Sequence, residues 1–191
     1  MHTAITPGRP RCERCERPQA ACLCLLAVPV SHRTPVLVLQ HPLERHHPKG
    51  SGRLLHLSLP HSRLEVGERF DEEQLAAWLG PDAVLLYPGA EGADLPAEPG
   101  RLVVIDATWR KSRLMRHANP LLARLPRLSL DAPPPSRYMV RRAHRPEQRS
   151  TLEATLLALE RLEGPHPSHV GLLAAFDSLQ AAWHGRAAKG A

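Results

Sequence analysis

The feature that most constrains this chain is a short apolar run, residues 102–105, that ends abruptly on Asp106 and is followed three residues later by Trp109. Its Val and Ile residues favour a buried strand of a parallel sheet. Ligands of open α/β sheets bind at the carboxyl ends of such strands. Asp106 is therefore predicted to lie at a functional site.

Three further segments have the composition of strands, and helical patterns lie between them. Strands are predicted over residues 35–39, 83–87 and 127–130. Helices are predicted to open at residues 50–53, to span 72–79, to run from Thr108 towards His117, to begin at a capping box of Ser150 and Glu153, and to cover about 168–184. This alternation predicts an α/β fold, with a mainly parallel sheet flanked by helices.

All four cysteines lie close together near the start of the chain, at Cys12, Cys15, Cys22 and Cys24. In a cytosolic protein such spacing indicates a metal site more often than a disulfide, and four thiolates satisfy tetrahedral Zn²⁺. We predict a small structural zinc knuckle within an N-terminal arm, residues 1–30, ahead of a main domain over 31–191. The second pair is Cys-x-Cys, which departs from the usual spacing, and reduced thiols on a flexible arm are the alternative.

The chain is basic, with a net charge of +6 and a pI near 9.7. Acidic residues are absent from 107 to 130, and a second basic group lies between 137 and 149. This asymmetry favours a surface that follows phosphates, whereas a solvated face would carry both signs. The alternative is an ordinary basic protein of an Arg-rich genome. No apolar run approaches the ~20 residues that span a bilayer, and no secretory peptide is visible, so we expect a cytoplasmic protein without a membrane partner.

Asp106 and Trp109 each have a purely structural alternative. Asp106 could cap the following helix or pair with an arginine, and Trp109 could be a core residue instead of a face for stacking a base. The glycine fingerprint of dinucleotide folds, the P-loop and the esterase Gly-x-Ser-x-Gly elbow are all missing from the sequence.

Taken together, the motifs resemble those of the DTW-domain family, the tRNA-uridine aminocarboxypropyltransferases. They are the four-cysteine knuckle, Gln40-His41-Pro42-Leu43-Glu44, Gly50-Ser51-Gly52-Arg53, Leu86-Tyr87-Pro88-Gly89, Asp106-Ala107-Thr108-Trp109, Ser136-Arg137-Tyr138, Arg141-Arg142 and Ser150-Thr151-Leu152-Glu153-Ala154. Each is short, but their order and spacing cover nearly the whole chain. Ala107 stands where many members carry Gly, and Ser51 where a Thr is frequent.

The resemblance implies a catalytic domain over 31–191 with a fold akin to the SPOUT methyltransferases, including a trefoil knot towards the C-terminus. It implies S-adenosylmethionine as the donor and tRNA as the partner. The 3-amino-3-carboxypropyl group would move to N3 of a tRNA uridine, with position 47 the expected site, and 5′-methylthioadenosine would leave. No obligate protein partner is expected.

The resemblance also implies the site residues. Asp106 would be the base that takes the uridine N3 proton, or the anchor for the ammonium group of the donor, and Trp109 would wall the pocket or stack on uracil. The donor site would comprise Tyr87, Pro88, Gly89, Asp106, Thr108, Ser136, Tyr138 and Arg142, with Arg142 on the carboxylate of the moving group. The expected RNA contacts are Arg53, Arg113, Arg141 and Arg145.

Three alternatives remain at this point. The same group could be transferred to ribosomal RNA, the methyl group of the same donor could be transferred instead, or the protein could be a noncatalytic zinc-bearing RNA-binding protein. The last alternative leaves the polar strand ends at Asp106 and Tyr87 unexplained.

Overall fold

A five-stranded parallel sheet forms the centre of the molecule. The computed structural model describes residues 10–48, 50–89, 95–130 and 149–187. The strands are β1 (Val36–Gln40), β2 (Ser62–Val66), β3 (Ala83–Leu86), β4 (Arg101–Asp106) and β5 (Arg127–Leu128). Their order across the sheet is β2-β1-β4-β3-β5, and every pair of neighbours is parallel. The predicted α/β fold with a mainly parallel sheet is therefore confirmed.

Helices cover both faces of this sheet. They are α1 (Gly52–Ser58), α2 (Glu72–Leu79), α3 (Trp109–Ala118), α4 (Pro120–Arg124), α5 (Thr151–Glu163) and α6 (Pro167–Ala187). Val38, Leu102 and Val104 of the central strands pack on one face with residues of α1, α5 and α6. Leu37 and Val103 point the other way and pack with residues of α2, α3 and α4. Alternate strand residues enter opposite cores, so residues 36–39 of β1 and 102–105 of β4 are all apolar. Each fully buried Leu or Val contributes about 1.5–3 kcal/mol.

Two elements differ from the sequence prediction. The edge strand β2 was not predicted, because its exposed Arg63 and its Glu65 interrupt the apolar pattern on which buried strands are recognised. Residues 120–124, which the sequence suggested as a leucine-rich turn after the helix from Thr108 to His117, instead form the short helix α4, which begins on Pro120. The capping box at the start of α5 is confirmed: the Ser150 hydroxyl accepts from the Glu153 N–H, and the Glu153 carboxylate accepts from the Ser150 N–H.

The cysteine-bearing segment packs against the main body. Cys15 and Leu23 are buried in the same core as α1 and α5. The Arg17 guanidinium donates to the carbonyl oxygens of Pro48 and Gly50 at 2.8 and 3.1 Å. The knuckle is thereby fastened to the loop that leads into α1.

Buried His32 gives the fold a dependence on pH. Its Nδ1 lies 2.9 Å from the Thr34 carbonyl oxygen, and its Nε2 accepts from the His61 backbone N–H at 3.3 Å. Only the neutral imidazole with its proton on Nδ1 satisfies both contacts. Burial is the main reason that the pKa of His32 is lowered from its usual value.

We therefore expect the free energy of unfolding to fall as the pH drops below about 6.5, where the unfolded chain takes up a proton that folded His32 resists, and to keep falling until the lowered pKa is reached. The His32→Asn variant, which can keep the contact with the Thr34 carbonyl, should show a shallower decline in thermal midpoint between pH 7.5 and 5. A decline as steep as that of the unsubstituted protein would contradict this assignment.

None of the helices in the described ranges has both the length and the apolar composition that crossing a membrane requires.

Candidate functional site

A cavity of about 610 Å³ lies at the carboxyl edge of the sheet, where β3, β4 and β5 end. The starts of α3 and α5 close its sides. The described residues in its lining are Leu86, Tyr87, Pro88, Val104, Ile105, Ala107, Trp109, Ser112, Arg113, Ser129, Leu130, Arg149, Ser150, Thr151 and Ala154. A mostly apolar pocket of this size, with a few polar groups at its rim, is typical of a small-molecule site.

An aromatic pair forms one wall of this cavity. The rings of Tyr87 and Trp109 meet edge to face with centroids 6.1 Å apart, and the Arg116 guanidinium lies 5.2 Å from the centre of the Tyr87 ring. Trp109 is 40% exposed, so it is not the core residue that the sequence left open. The buried Tyr87 hydroxyl has no hydrogen-bond partner among the described residues. A ligand in the cavity could supply that partner.

The turn after β3 depends on a glycine. Gly89 has a φ of +128°, and a Cβ on it would lie 2.7 Å from Nη1 of Arg127. Pro88 lines the cavity, whereas Gly89 supports the turn from outside the lining. Of the predicted Tyr87-Pro88-Gly89 segment, Tyr87 and Pro88 form part of the cavity wall, and Gly89 does not.

Asp106 ends β4 and lies beside the cavity, outside its lining. The side chain is 5% exposed. Gln40, its register partner at the end of β1, donates from Nε2 to Oδ2 at 2.8 Å, and the Thr151 hydroxyl donates to Oδ1 at 2.6 Å. The N-cap position of the helix that follows is Thr108, whose side chain makes no capping hydrogen bond, so Asp106 is not its cap. Both carboxylate oxygens of Asp106 therefore already accept a hydrogen bond from another element of the fold.

The other predicted site residues fall into three groups. Arg113 lines the cavity, while Thr108 is exposed just outside the lining. Arg53 lies at the knuckle, nearly buried, with Nη2 2.6 Å from Oε2 of Glu16, a position that favours a structural role over a contact with RNA. The remaining predicted residues lie outside the described residues: Ser136, Tyr138, Arg141, Arg142 and Arg145.

The contribution of α5 to the cavity was not predicted. Arg149 was considered as part of a basic group, and Ser150 and Thr151 as part of a helix cap and of a family motif. None of the three was predicted as a site residue, yet all three line the cavity. The capping box was the available signal, since it marks a helix start that can face a ligand.

The four cysteines form a second candidate site. Their sulfur atoms all lie within 4.8 Å of one another, with 3.6 Å between Cys12 and Cys24 and 3.7 Å between Cys15 and Cys22. A tetrahedral zinc with Zn–S bonds of about 2.3 Å sets the sulfur atoms about 3.8 Å apart. The cluster therefore fits a metal ion of this kind.

The protonation of the cysteines agrees with this fit. Backbone N–H groups of Cys15 and Arg14 lower the pKa of Cys12 to about 6. Burial and the neighbouring thiols raise the pKa of Cys24 to about 12. Four thiolates this close together repel one another unless a cation joins them, so the sulfur set is suited to a divalent metal.

Comparison with known proteins identifies the family. The family model described as the DTW domain matches residues 9–184. This chain belongs to the DTW-domain family. The chain is 33% identical over 170 residues to tRNA-uridine aminocarboxypropyltransferase 2 of Macaca fascicularis. It is 36% identical over 171 residues to the protein of that name in Mus musculus. It is 32% identical over 169 residues to the protein of that name in Drosophila melanogaster.

Each of these matches covers 81% of this chain. The matched segment spans 57% of the two mammalian relatives and 67% of the fly relative. No solved structure matches the chain.

Proposed function

We propose that this DTW domain transfers the 3-amino-3-carboxypropyl group of S-adenosylmethionine to N3 of a tRNA uridine, at position 47, and releases 5′-methylthioadenosine. The observation that carries the proposal is the cavity at the carboxyl edge of the sheet, where Tyr87, Trp109 and Arg113 meet. The names of its relatives support the chemistry.

The reaction follows from the sulfonium of the donor. The N3 proton of uridine is released to water, the nitrogen attacks the carbon of the aminocarboxypropyl arm next to sulfur, and the C–S bond breaks with its electron pair going to sulfur. The product sulfur is a neutral thioether. Every carbon on a sulfonium is electrophilic, so the protein selects the carbon by position.

The cavity offers surfaces for both reactants. Tyr87 and Pro88 form a wall suited to adenosine, with the Tyr87 hydroxyl able to bond a polar group of the donor. Trp109, part exposed at the cavity, is placed to stack on uracil, an interaction worth about 1–3 kcal/mol. Further donor contacts from Ser136, Tyr138 and Arg142, and RNA contacts from Arg141 and Arg145, remain proposals from the resemblance.

The products distinguish this reaction from its rivals. Incubation with S-adenosylmethionine and unmodified tRNA should yield methylthioadenosine and a heavier uridine by nucleoside mass spectrometry. Adenosylhomocysteine would instead indicate methyl transfer. A modified nucleotide found only when ribosomal RNA is supplied would indicate that rRNA is the substrate. If neither RNA is modified, the remaining alternative is a noncatalytic RNA-binding protein.

Arg113 should contribute to RNA affinity through a phosphate. The Arg113→Ala variant is expected to weaken tRNA binding and to reduce the slope of log affinity against log salt by about one unit. Arg33→Ala is a matched control, because Arg33 is exposed just before β1, at the end of the sheet opposite the cavity and outside the basic stretch 107–130. Equal slopes for Arg113→Ala and the unsubstituted protein would count against the contact.

The proposal includes a structural zinc ion held by Cys12, Cys15, Cys22 and Cys24. The metal would brace the knuckle and take no part in the transfer. We further propose the SPOUT type of fold with its trefoil knot, which rests on the resemblance and on the parallel sheet, and tRNA as the partner, which rests on the resemblance. A cytoplasmic location is proposed from the sequence, which has no visible secretory peptide.

A further inference from the structure

We infer that Asp106 is a positioning residue that fastens the start of α5 to the end of the sheet, and that Gln40, Gly52 and Thr151 hold it in place. The effect on group transfer rests on the proposed function, whereas the clamp itself can be tested without it. The two catalytic alternatives, proton acceptor or ammonium anchor, require a carboxylate that faces the substrate.

The hydrogen bonds of Asp106 support the clamp. One carboxylate oxygen accepts from Gln40 at the end of β1, and the other accepts from the first residue of α5, Thr151. The residue is almost fully buried and does not line the cavity, although Ala107 and Thr151 do. The carboxylate thus lies behind the cavity wall and joins two of its supports.

The start of α1 is shaped around the same carboxylate. A Cβ on Gly52 would lie 2.2 Å from Oδ2 of Asp106, well inside contact distance. Next to it, the Ser51 hydroxyl oxygen accepts from the Leu152 N–H at 3.4 Å. Glycine at 52 is therefore needed for α1, Asp106 and α5 to approach one another.

Thr151 links the Asp106 carboxylate to the wall of the cavity. Its neighbours Ser150 and Ala154 line the cavity together with Thr151 itself. Since the Thr151 hydroxyl is bonded to the end of β4, the distance between α5 and β4 is fixed there. Releasing that bond would loosen the wall of the donor site.

A pair of threonines in α5 supplies a matched test. Thr151→Val keeps the shape of the side chain but removes the donor to Asp106, and Thr151→Ser restores that donor. Thr155, one turn later, donates only within the helix, to the Thr151 carbonyl oxygen at 2.7 Å, so Thr155→Val controls for loss of a buried threonine hydroxyl.

We expect Thr151→Val to bind S-adenosylmethionine at least about tenfold more weakly by calorimetry and to lose transfer activity by a similar factor. Thr151→Ser and Thr155→Val should stay within about threefold of the unsubstituted protein. If Thr151→Val stays within threefold as well, or if Thr155→Val is impaired equally, the clamp is refuted.

The amide at position 106 separates a clamp from a proton acceptor. In Asp106→Asn the asparagine Oδ1 can still accept from the Thr151 hydroxyl. Its NH₂ group can donate to Oε1 of Gln40 once the Gln40 side-chain amide flips. The Gln40 Oε1 is available for this, since it is buried and without a hydrogen-bond partner in the described part of the chain. A clamp therefore predicts a loss of transfer within about tenfold, whereas removal of a general base costs about 10²–10⁴-fold.

Hydrogen exchange makes the result independent of activity. Amides at residues 150–156 should exchange faster in Thr151→Val than in Thr155→Val, with Asp106→Asn close to the unsubstituted protein. Unchanged exchange in Thr151→Val would overturn the clamp, as would a loss above a hundredfold in Asp106→Asn. Absence of any methylthioadenosine from the unsubstituted protein would instead overturn the proposed function and leave the exchange result intact.

Discussion

Asp106→Ala is expected to reduce aminocarboxypropyl transfer by at least about a hundredfold while tRNA binding persists. Alanine accepts no hydrogen bond, so the Gln40 amide and the Thr151 hydroxyl would both lose their partner on the carboxylate. Each buried polar group left without a partner costs about 1–3 kcal/mol. The start of α5 would come away from β4, and the donor cavity would lose its shape.

Methylthioadenosine release measures transfer in this variant, and filter binding measures its affinity for tRNA. Asp71→Ala is a suitable control, since Asp71 caps α2 through the Gln74 N–H and is exposed away from the cavity. It should cost about 1 kcal/mol of stability and leave turnover unchanged. Near-normal turnover of Asp106→Ala would refute the assignment of this residue.

Cys15→Ser should destabilise the zinc-loaded protein by at least about 4 kcal/mol, the second of the two large effects. The side chain of Cys15 is fully buried, and it packs in the core that includes Leu54 of α1 and Leu156 of α5. Loss of the metal would therefore destabilise the packing of α1 and α5 as well as the knuckle. The donor affinity of molecules that still fold should change little, because none of the four cysteines lines the cavity.

Thermal unfolding with and without a chelator measures this effect. The chelator should lower the midpoint of the unsubstituted protein towards that of Cys15→Ser, and it should leave the variant where it is. Metal analysis of protein purified without added zinc is expected to give a stoichiometry near one. A value far below one would remove the metal from the proposal.

The central strands and the cysteine cluster were predictable because local sequence determines them. Residues 36–39 of β1 and 102–105 of β4 are apolar, as burial on two faces requires. The close spacing of the four cysteines in sequence is itself enough to place them near one another. Edge strand β2 carries no such signal, since it pairs on one side only and its Arg63 and Glu65 resemble a loop.

The direction in which Asp106 points was available in the sequence but was not used. Leu102, Val104 and Asp106 alternate with Val103 and Ile105, so the carboxylate belongs to the face covered by α1 and α5. Its partners were harder to foresee. Gln40, Gly52 and Thr151 are far apart in sequence, and only the packing of three elements brings them to one carboxylate.

The two margins of the sheet have a consequence for self-association. A long, flat strand at a margin invites another chain to hydrogen-bond along it, which leads to aggregates. Here β5 has two residues, and β2 carries the charged pair of Arg63 and Glu65, with nitrogen and oxygen 2.6 Å apart. Among the described residues neither margin offers an apolar template, so concentrated solutions should be protected from growth of the sheet between molecules. Replacing both charges with valine should remove that protection at β2.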